Sequence, residues 1–342
     1  MRPLSYAAAI REAHAQLLAS DDRVFVFGQG LWSPWYAGAS LKQLEVDYGK
    51  DRVIDSPVSE NAVTAAATGA ALSGMRPIVF HPRMDFMLLA VDAIVNQAAN
   101  WSYVFDGQSH VPIVIRAVIN RRGEQGAQHS QALQAMFAHI PGLKVVMPAT
   151  PADAKGLLIA GSRDGNPILY IDDRCLYDQV GDVPEAMCET PIGTAAVRRA
   201  GGDVTIVATS VMVGQSLAAA ETLAARGVSC EVIDLRSIKP WDKATVLTSV
   251  ARTGRLVVAD EAWRSFGVAA EIAATVADEA FDCLAAPIRR VCLGDVPAPA
   301  AASLEEAYYL RPDDVVEAVQ SVVGGTRSAG RPSARPPRRQ AA

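Results

Sequence analysis

The sequence predicts an α/β protein with two doubly wound domains, each a mostly parallel sheet covered by helices on both faces. Two blocks of the chain alternate apolar strands with helices, which is the pattern of parallel sheets. Between the blocks, from Tyr177 to Gly202, the alternation lapses and acids and prolines accumulate. A length of 342 residues also favours two domains. The expected parts are a first domain at 1–178, a linker at 179–202, a smaller second domain at 203–323 and a tail at 324–342.

The elements of the first block follow from its apolar periodicity. Ala7, Ile10 and Leu17 recur at helical spacing, whereas short apolar runs such as 23–27 are typical of buried strands. Helices are therefore expected at 4–20, 61–73, 86–103 and 153–162, with strands at 23–27, 53–54, 77–80, 112–116, 144–147 and 167–171. Because ligands of such sheets bind where strands end, we expect the site in the loops after Phe80 and Arg116.

Two features of the first block allow more than one interpretation. Gly28-Gln29-Gly30 follows a strand, where a Gly-x-Gly turn can cradle phosphate, but the third glycine of a dinucleotide site is missing. A plain strand-to-loop turn is equally consistent with it. The loop from Trp32 to Tyr36 is unusually aromatic, which suits a ligand or subunit surface but also an ordinary surface contact.

The second block repeats the alternation on a smaller scale. Its strands are expected at 204–208, 229–233, 255–259 and 288–291, and its helices at 213–226, 243–250, 269–279 and 313–322. Neither block contains a P-loop, a His-x-x-x-His metal pair or a nucleophile elbow.

Composition and charge exclude several classes of protein. No apolar run reaches membrane-spanning length, and the N-terminus lacks an apolar signal core. The five cysteines are scattered and form no C-x-x-C pair, which favours reduced thiols in a cytoplasm over a disulfide framework or a zinc site. The net charge of −5 gives no general support for nucleic-acid binding. We therefore expect a cytoplasmic protein without membrane or nucleic-acid partners.

The tail has its own composition. It is rich in Arg, Pro, Ser and Ala, with five arginines and no acid. Such a segment is expected to be disordered. It serves either as a solvated extension or as a docking arm for an acidic partner.

The stretch from Asp55 to Ala62 is the first candidate for a site. It leaves a short strand, turns at Ser56-Pro57 and enters a helix of small residues, with Ser59 as the expected N-cap. Glu60 then lies in the first helical turn, where the helix dipole favours an acid. An acid that only helps the helix to start is the simple alternative to a functional carboxyl.

Two further stretches favour the functional interpretation. A strand delivers polar and aromatic residues together at its end, from His81 to Phe86. A glycine-rich loop carries His129 between amides and a hydroxyl, although a structural loop histidine is the alternative there.

These residues resemble the beta subunit of the thiamine-diphosphate-dependent component of 2-oxo acid dehydrogenase complexes, of the pyruvate and branched-chain types. The resemblance covers about Leu4 to Val323. The matching stretches are Ser59-Glu60, Phe86, 127–131, 141–146 and 232–238. It implies a pyrimidine-binding transketolase-like domain followed by a C-terminal transketolase-like domain.

The resemblance also implies roles for single residues. Glu60 matches the acid that hydrogen-bonds N1′ of the cofactor's aminopyrimidine and promotes loss of the C2 proton; apolar surroundings suit that role because they disfavour the charged carboxylate. Phe86 matches the ring that packs on the pyrimidine. Gln29 stands where many members have an acid. His129 matches the histidine that donates a proton or hydrogen bond during acyl transfer.

Metal sites and partners follow from the same resemblance. Main-chain oxygens around Ile113, Gly161, Asp164 and Asn166 match a potassium site of some members. The Gly-Asp-Gly motif that usually holds magnesium on the diphosphate is missing. We therefore expect Mg²⁺ to be held by an alpha subunit in an α2β2 tetramer, with this chain inactive alone. A lipoyl acyltransferase core is the further expected partner.

The resemblance leaves the substrate and the acceptor open. Residues 80–86 depart from the pyruvate-type pattern, and two arginines precede the His129 loop. His81, Arg83, Arg121 or Arg122 is expected either to read an anionic or polyhydroxylated substrate or to face partner and solvent. Oxidative decarboxylation of a 2-oxo acid is the first hypothesis. The C-terminal half of a split transketolase or acyloin-type synthase, and a non-catalytic scaffold, are the alternatives.

Overall fold

The computed structural model describes residues 1–324. The strands are β1 Arg2–Ser5, β2 Val24–Gly28, β3 Val53–Asp55, β4 Arg76–His81, β5 Val114–Ile119, β6 Lys144–Val146, β7 Ile168–Asp173, β8 Val180–Val183, β9 Ala196–Arg199, β10 Val204–Ala208, β11 Cys230–Asp234, β12 Ser237–Lys239, β13 Leu256–Trp263 and β14 Arg289–Leu293. The helices are α1 Tyr6–Ser20, α2 Leu44–Tyr48, α3 Glu60–Leu72, α4 Met84–Met87, α5 Asn100–Val104, α6 Gln134–Ala138, α7 Pro151–Arg163, α8 Val211–Ala224, α9 Lys243–Thr253, α10 Val268–Glu279, α11 Ala302–Tyr308 and α12 Pro312–Val323. No helix in this range is long and apolar enough to cross a membrane.

The first domain is organised around a large, mostly parallel sheet. Over the described residues its order is β12-β6-β7-β5-β4-β2-β3, and β2 to β7 pair in parallel. Strands β5 and β7 are buried along their whole length, as apolar strands covered on both faces should be. Arg116 lies inside β5, so the loop expected after it begins at Asn120 instead.

The second domain contains a smaller sheet of the same kind. Its order within the described chain is β14-β13-β10-β11-β9, with β9 antiparallel at one edge. The prediction of two α/β domains is thus confirmed. The expected tail falls, apart from Gly324, outside the described residues.

The stretch expected as a linker contains two paired strands. Val180–Val183 pairs with Arg2–Ser5, and Ala196–Arg199 joins the edge of the second sheet. Edge strands tolerate polar and charged residues because one side faces solvent, so the lapse in apolar pattern did not mark a lapse in structure.

The two domains interlock where the chain passes the 232–238 run. Strand β12 leaves the second domain and pairs with β6 at the edge of the first sheet. Beside it, Asp153 of α7 pairs with Arg198 and, at 3.0 Å, with Arg236, while Arg198 also contacts Asp234 at 2.8 Å. This run therefore lies at the domain junction.

The single helix expected at 86–103 is a chain of shorter helical pieces. After α4 come a 3₁₀ turn at Leu88–Ala90 and a π-helical segment at Asp92–Ala99, which leads into α5. The turn at Gly142 packs against the end of the π-helical segment, since an added Cβ at Gly142 would lie 2.1 Å from Ala99 O. Wide helical turns of this kind are common near functional sites.

Candidate active site

Glu60 is the first residue of helix α3 and lies in a small cleft. Its side chain is only 6 % exposed, and the cleft is also lined by Gln29, Phe80 and His81. Ser59 occupies the expected N-cap position but its side chain makes no capping hydrogen bond. Among residues 1–324 the Glu60 carboxylate makes no side-chain hydrogen bond. A nearly buried carboxylate without a protein partner is suited to bind a ligand.

Strand ends bring the other cleft residues to Glu60. Strands β2 and β4 pair side by side, so that Gly28 lies opposite Phe80. An added Cβ at Gly28 would lie 2.4 Å from Phe80 O, so only glycine permits this approach. Gln29 and His81 therefore leave adjacent strands at the same edge of the sheet.

The Gly28–Gly30 turn is fixed by the protein itself. The Asp55 carboxylate accepts hydrogen bonds from Gly30 N at 2.6 Å and from Leu31 N at 3.1 Å. Because a protein carboxylate already takes these amides, the turn is a strand-to-loop connection and not a phosphate cradle.

His81 contacts the start of helix α3 through Thr64. Its Nε2 lies 3.0 Å from Thr64 Oγ1, and the Thr64 hydroxyl donates to Glu60 O at 2.8 Å. Burial lowers the pKa of His81 to about 4, so the ring is neutral at pH 7. His81 also lines the cleft beside Glu60, and its contact with a substrate stays a prediction.

Phe86 and His129 contact each other. Their rings are in edge-to-face contact, with centroids 5.2 Å apart and planes at 77°. Asp85 holds the two segments together because its Oδ1 accepts the Gln131 N–H at 3.1 Å. The turn from His81 to Phe86 thus contacts the Glu60 helix at one end and the His129 loop at the other.

The three arginines expected to contact the substrate differ in exposure and in their ion pairs. Arg83 is partly exposed and its Nη1 donates to Pro82 O at 2.7 Å. Arg121 is 2 % exposed and forms ion pairs at 2.8 Å with both Asp173 and Glu261. Arg122 contacts Glu261 at 3.2 Å. Arg121 is therefore a buried structural cation, which corrects its expected role, and Arg83 is the free candidate.

The residues expected to bind potassium lie in a network of hydrogen bonds. Arg76 Nη1 donates to Asp164 O at 3.2 Å and to Ser162 O at 2.7 Å, so a guanidinium already lies at these carbonyls. Gly161 O and Ile113 O accept backbone N–H groups, and Asn166 donates to the Asp164 carboxylate. A carbonyl oxygen that accepts one hydrogen bond keeps a second lone pair, and potassium binding at these oxygens stays a prediction.

The cleft offers the kind of group that the pyrimidine half of thiamine diphosphate would need. The Glu60 carboxylate lines the cleft without a side-chain hydrogen bond within residues 1–324, and Phe86, 37 % exposed, lies in the short helix that follows the strand of His81. No group of three or more His, Cys, Asp or Glu side chains that could hold a metal ion occurs within residues 1–324.

Two residues of the candidate site were not predicted from the sequence. Asp85 follows the same strand end as Phe86, and that position was the only signal for it. Thr64, one helical turn after Glu60, carried no signal beyond its helical spacing.

Comparison with known proteins gives a consistent result. Residues 2–178 match the family "Transketolase, pyrimidine binding domain" and residues 193–315 match "Transketolase, C-terminal domain". The acetoin:2,6-dichlorophenolindophenol oxidoreductase subunit beta of Cupriavidus necator is 42% identical over 336 residues, covering 95% of this chain and 98% of that protein.

Two further proteins extend the comparison. The pyruvate dehydrogenase E1 component subunit beta of Rickettsia felis is 42% identical over 314 residues, covering 92% of this chain and 96% of that protein. A solved split-gene transketolase, described as an inactive beta4 tetramer, superimposes with a TM-score of 0.78 at 23% identity. It covers 95% of this chain and 99% of that chain, and at this identity it supports the fold alone.

Proposed function

This chain belongs to the family that joins a transketolase pyrimidine-binding domain to a transketolase C-terminal domain, and we propose that it is the beta subunit of a thiamine-diphosphate-dependent 2-oxo acid dehydrogenase of the pyruvate type. In this role it takes part in the decarboxylation of a 2-oxo acid and in the transfer of the acyl group to a lipoyl carrier. The observation that carries the proposal is the unpartnered Glu60 carboxylate in its cleft.

The chain's own residues bind, orient and exchange protons. The cofactor, when bound, supplies a carbon nucleophile and an electron sink. Glu60 would hydrogen-bond the aminopyrimidine, since the residue is only 6 % exposed and its carboxylate makes no side-chain hydrogen bond within residues 1–324. Phe86 would pack on the ring, with Gln29 beside it. His129, in contact with Phe86, would hold or donate a proton at the acyl oxygen during transfer.

An alpha subunit is part of the same proposal. Val58, Phe86 and Leu89, from the Glu60 turn and the segment after β4, are exposed apolar residues. Apolar surface of this kind commonly marks a contact with another protein. We propose that the alpha subunit covers it in an α2β2 tetramer and supplies the ligands for Mg²⁺. The lipoyl acyltransferase core is the proposed further partner, and a cytoplasmic location rests on the cysteine pattern.

The relatives favour one second candidate. Acetoin is the substrate named for the Cupriavidus necator relative, which is as similar as the pyruvate-type one. Cleavage of acetoin, with the two-carbon unit passed on, would use the same Glu60 and His129. Transfer to an aldehyde by a split transketolase or acyloin synthase uses these residues as well, so substrates must decide.

A substrate and acceptor panel tests the function. The chain, purified with its alpha subunit, is offered pyruvate, branched-chain 2-oxo acids, acetoin and a ketose phosphate. Acceptors are a lipoyl domain, 2,6-dichlorophenolindophenol or an aldehyde. We expect kcat/KM for one 2-oxo acid to exceed that for acetoin by about tenfold or more, a difference of about 1.4 kcal/mol in transition-state binding. A preference for acetoin, or transfer only to aldehydes, would reject the dehydrogenase assignment.

Replacing Arg83 by Ala tests whether it selects the substrate. Three of the four residues expected to contact the substrate are arginines. Among these three, Arg83 alone forms no ion pair with an acid within residues 1–324. If its guanidinium binds the substrate carboxylate, KM for 2-oxo acids rises about 10- to 100-fold because a charge-assisted hydrogen bond is lost. Arg83→Lys, which keeps the charge, should recover part of the loss. Identical substrate profiles for wild type and Arg83→Ala would assign Arg83 to the partner surface.

A further inference from the structure

The segment that carries His129 has an unusual backbone. Residues 120–131, called here the His129 segment, follow strand β5 without helix or strand of their own. Arg122, Gly123, Glu124 and Gly126 all have positive φ, between 62° and 69°. Arg122 and Glu124 are not glycines, so this backbone is strained and needs contacts that hold it.

Those contacts come from the second domain. Glu261, at the end of β13, accepts a hydrogen bond from Arg121 Nη1 at 2.8 Å through Oε2 and from Arg122 Nη2 at 3.2 Å through Oε1. Its main-chain oxygen also accepts from Arg121 Nη1 at 2.6 Å. Glu261 thus binds both residues at the start of the His129 segment.

Neighbouring groups of the second domain fix the strained amides. Glu305 Oε1 accepts from Glu124 N at 3.0 Å, and the Tyr309 hydroxyl accepts from Arg122 N at 3.3 Å. The Glu261 carboxylate in turn accepts from Leu310 N at 2.9 Å, which ties the α11–α12 connection to it. The strained turn is therefore held from outside its own domain.

The charges at this contact are buried and balanced. Glu261 is 2 % exposed and burial raises its pKa, although Arg121 and Arg122 oppose the shift. Burial disfavours the charge on Arg121, yet Asp173 and Glu261 outweigh it and raise its pKa. Removing the Glu261 carboxylate alone would leave Arg121 paired with Asp173. Because no unpaired buried charge would then remain at Arg121, we expect the variant to fold.

We propose that Glu261 is a positioning residue that holds the His129 segment in its active conformation through Arg121 and Arg122. The idea rests on the proposed function, because His129 is the group it places. Its consequence is specific: loosening Glu261 should impair the step that uses His129 more than the steps that use Glu60.

The test compares Glu261→Gln with Glu231→Gln in the complete complex. Glu231 is also a nearly buried acid of the second domain, 6 % exposed and paired with Arg252, and none of its hydrogen bonds within residues 1–324 reaches the His129 segment. Hydrogen exchange read by mass spectrometry reports on the segment without any activity. We expect peptides within residues 120–131 to exchange about tenfold faster in Glu261→Gln and unchanged in Glu231→Gln.

Activity supplies the second readout. Each variant is assayed with a lipoyl domain and with 2,6-dichlorophenolindophenol as acceptor. The His129→Ala variant serves as the reference for how loss of the histidine changes the two rates. We expect Glu261→Gln to lower lipoyl-dependent kcat about 10- to 100-fold, since misplacement of a catalytic group from a distance has effects of this size. Dye reduction should fall much less, and Glu261→Asp should recover part of the lipoyl-dependent rate.

Each result decides between the alternatives. Unchanged exchange in the His129 segment overturns the proposal whatever the enzyme does. Faster exchange with an equal fall in both assays also overturns it, because the defect would then be general. If no variant or wild type shows thiamine-dependent turnover, the proposed function fails while the exchange result still decides whether Glu261 orders the segment. Should Glu261→Gln not assemble, Arg122→Gln removes the more exposed half of the contact and must give the same pattern.

Discussion

Replacing Glu60 by Gln is expected to lower thiamine-dependent turnover of the reconstituted complex by about 100- to 10,000-fold, the usual range for loss of a positioned acid–base group. Glu60 lies in its cleft without a protein partner, so the carboxyl is free for the aminopyrimidine. Gln keeps the size of the side chain and its position in the first helical turn. It cannot exchange the proton, so the loss should appear in kcat.

A matched control separates this role from helix stabilisation. Glu271 also lies in the first turn of a helix, α10, and is exposed there. Glu271→Gln should retain full turnover, while both variants shift the thermal midpoint equally little, since a first-turn acid contributes less than about 1 kcal/mol. Near-normal turnover of Glu60→Gln in an assembled complex would favour the scaffold interpretation and contradict the enzymatic one.

The fold was predictable where the signal was local. Apolar runs gave the central strands, and the end of β4 was correctly expected to present His81 to Phe86 together. Strand β12 was not predictable, because Ser237–Lys239 is too short to stand out and its pairing with β6 depends on a residue run far along the chain. The same limit explains why β8 and β9 looked like linker.

The same difference between local and long-range signals applies to the site. Glu60, Phe86 and His129 could be singled out because each lies in a compact local pattern. Arg121 was misjudged because its partner Glu261 lies 140 residues further along the chain. A basic residue beside a site looks the same in sequence whether it faces a substrate or a buried acid. Only the packing of the second domain on the first distinguishes the two.

The chain without its alpha subunit is expected to show no thiamine-dependent turnover above background, and addition of the alpha subunit should restore it. The diphosphate carries several negative charges and needs Mg²⁺ with oxygen ligands. No Gly-Asp-Gly occurs in the sequence, and residues 1–324 contain no cluster of three metal-ligating side chains. Titration calorimetry with thiamine diphosphate and Mg²⁺ should accordingly give tight binding only for the complex.

The Glu60→Gln variant makes this test selective for catalysis rather than assembly. Because Glu60 lies nearly buried in the cleft while Val58 and Leu89 are exposed, the variant should still join the alpha subunit in an α2β2 particle of unchanged mass. Mass photometry would show the particle, and assays would show it inactive. The exposed apolar residues would then bind the alpha subunit, and the Glu60 carboxyl would act on the cofactor. Turnover by the isolated chain would contradict this division, because the single chain would then hold both halves of the cofactor site.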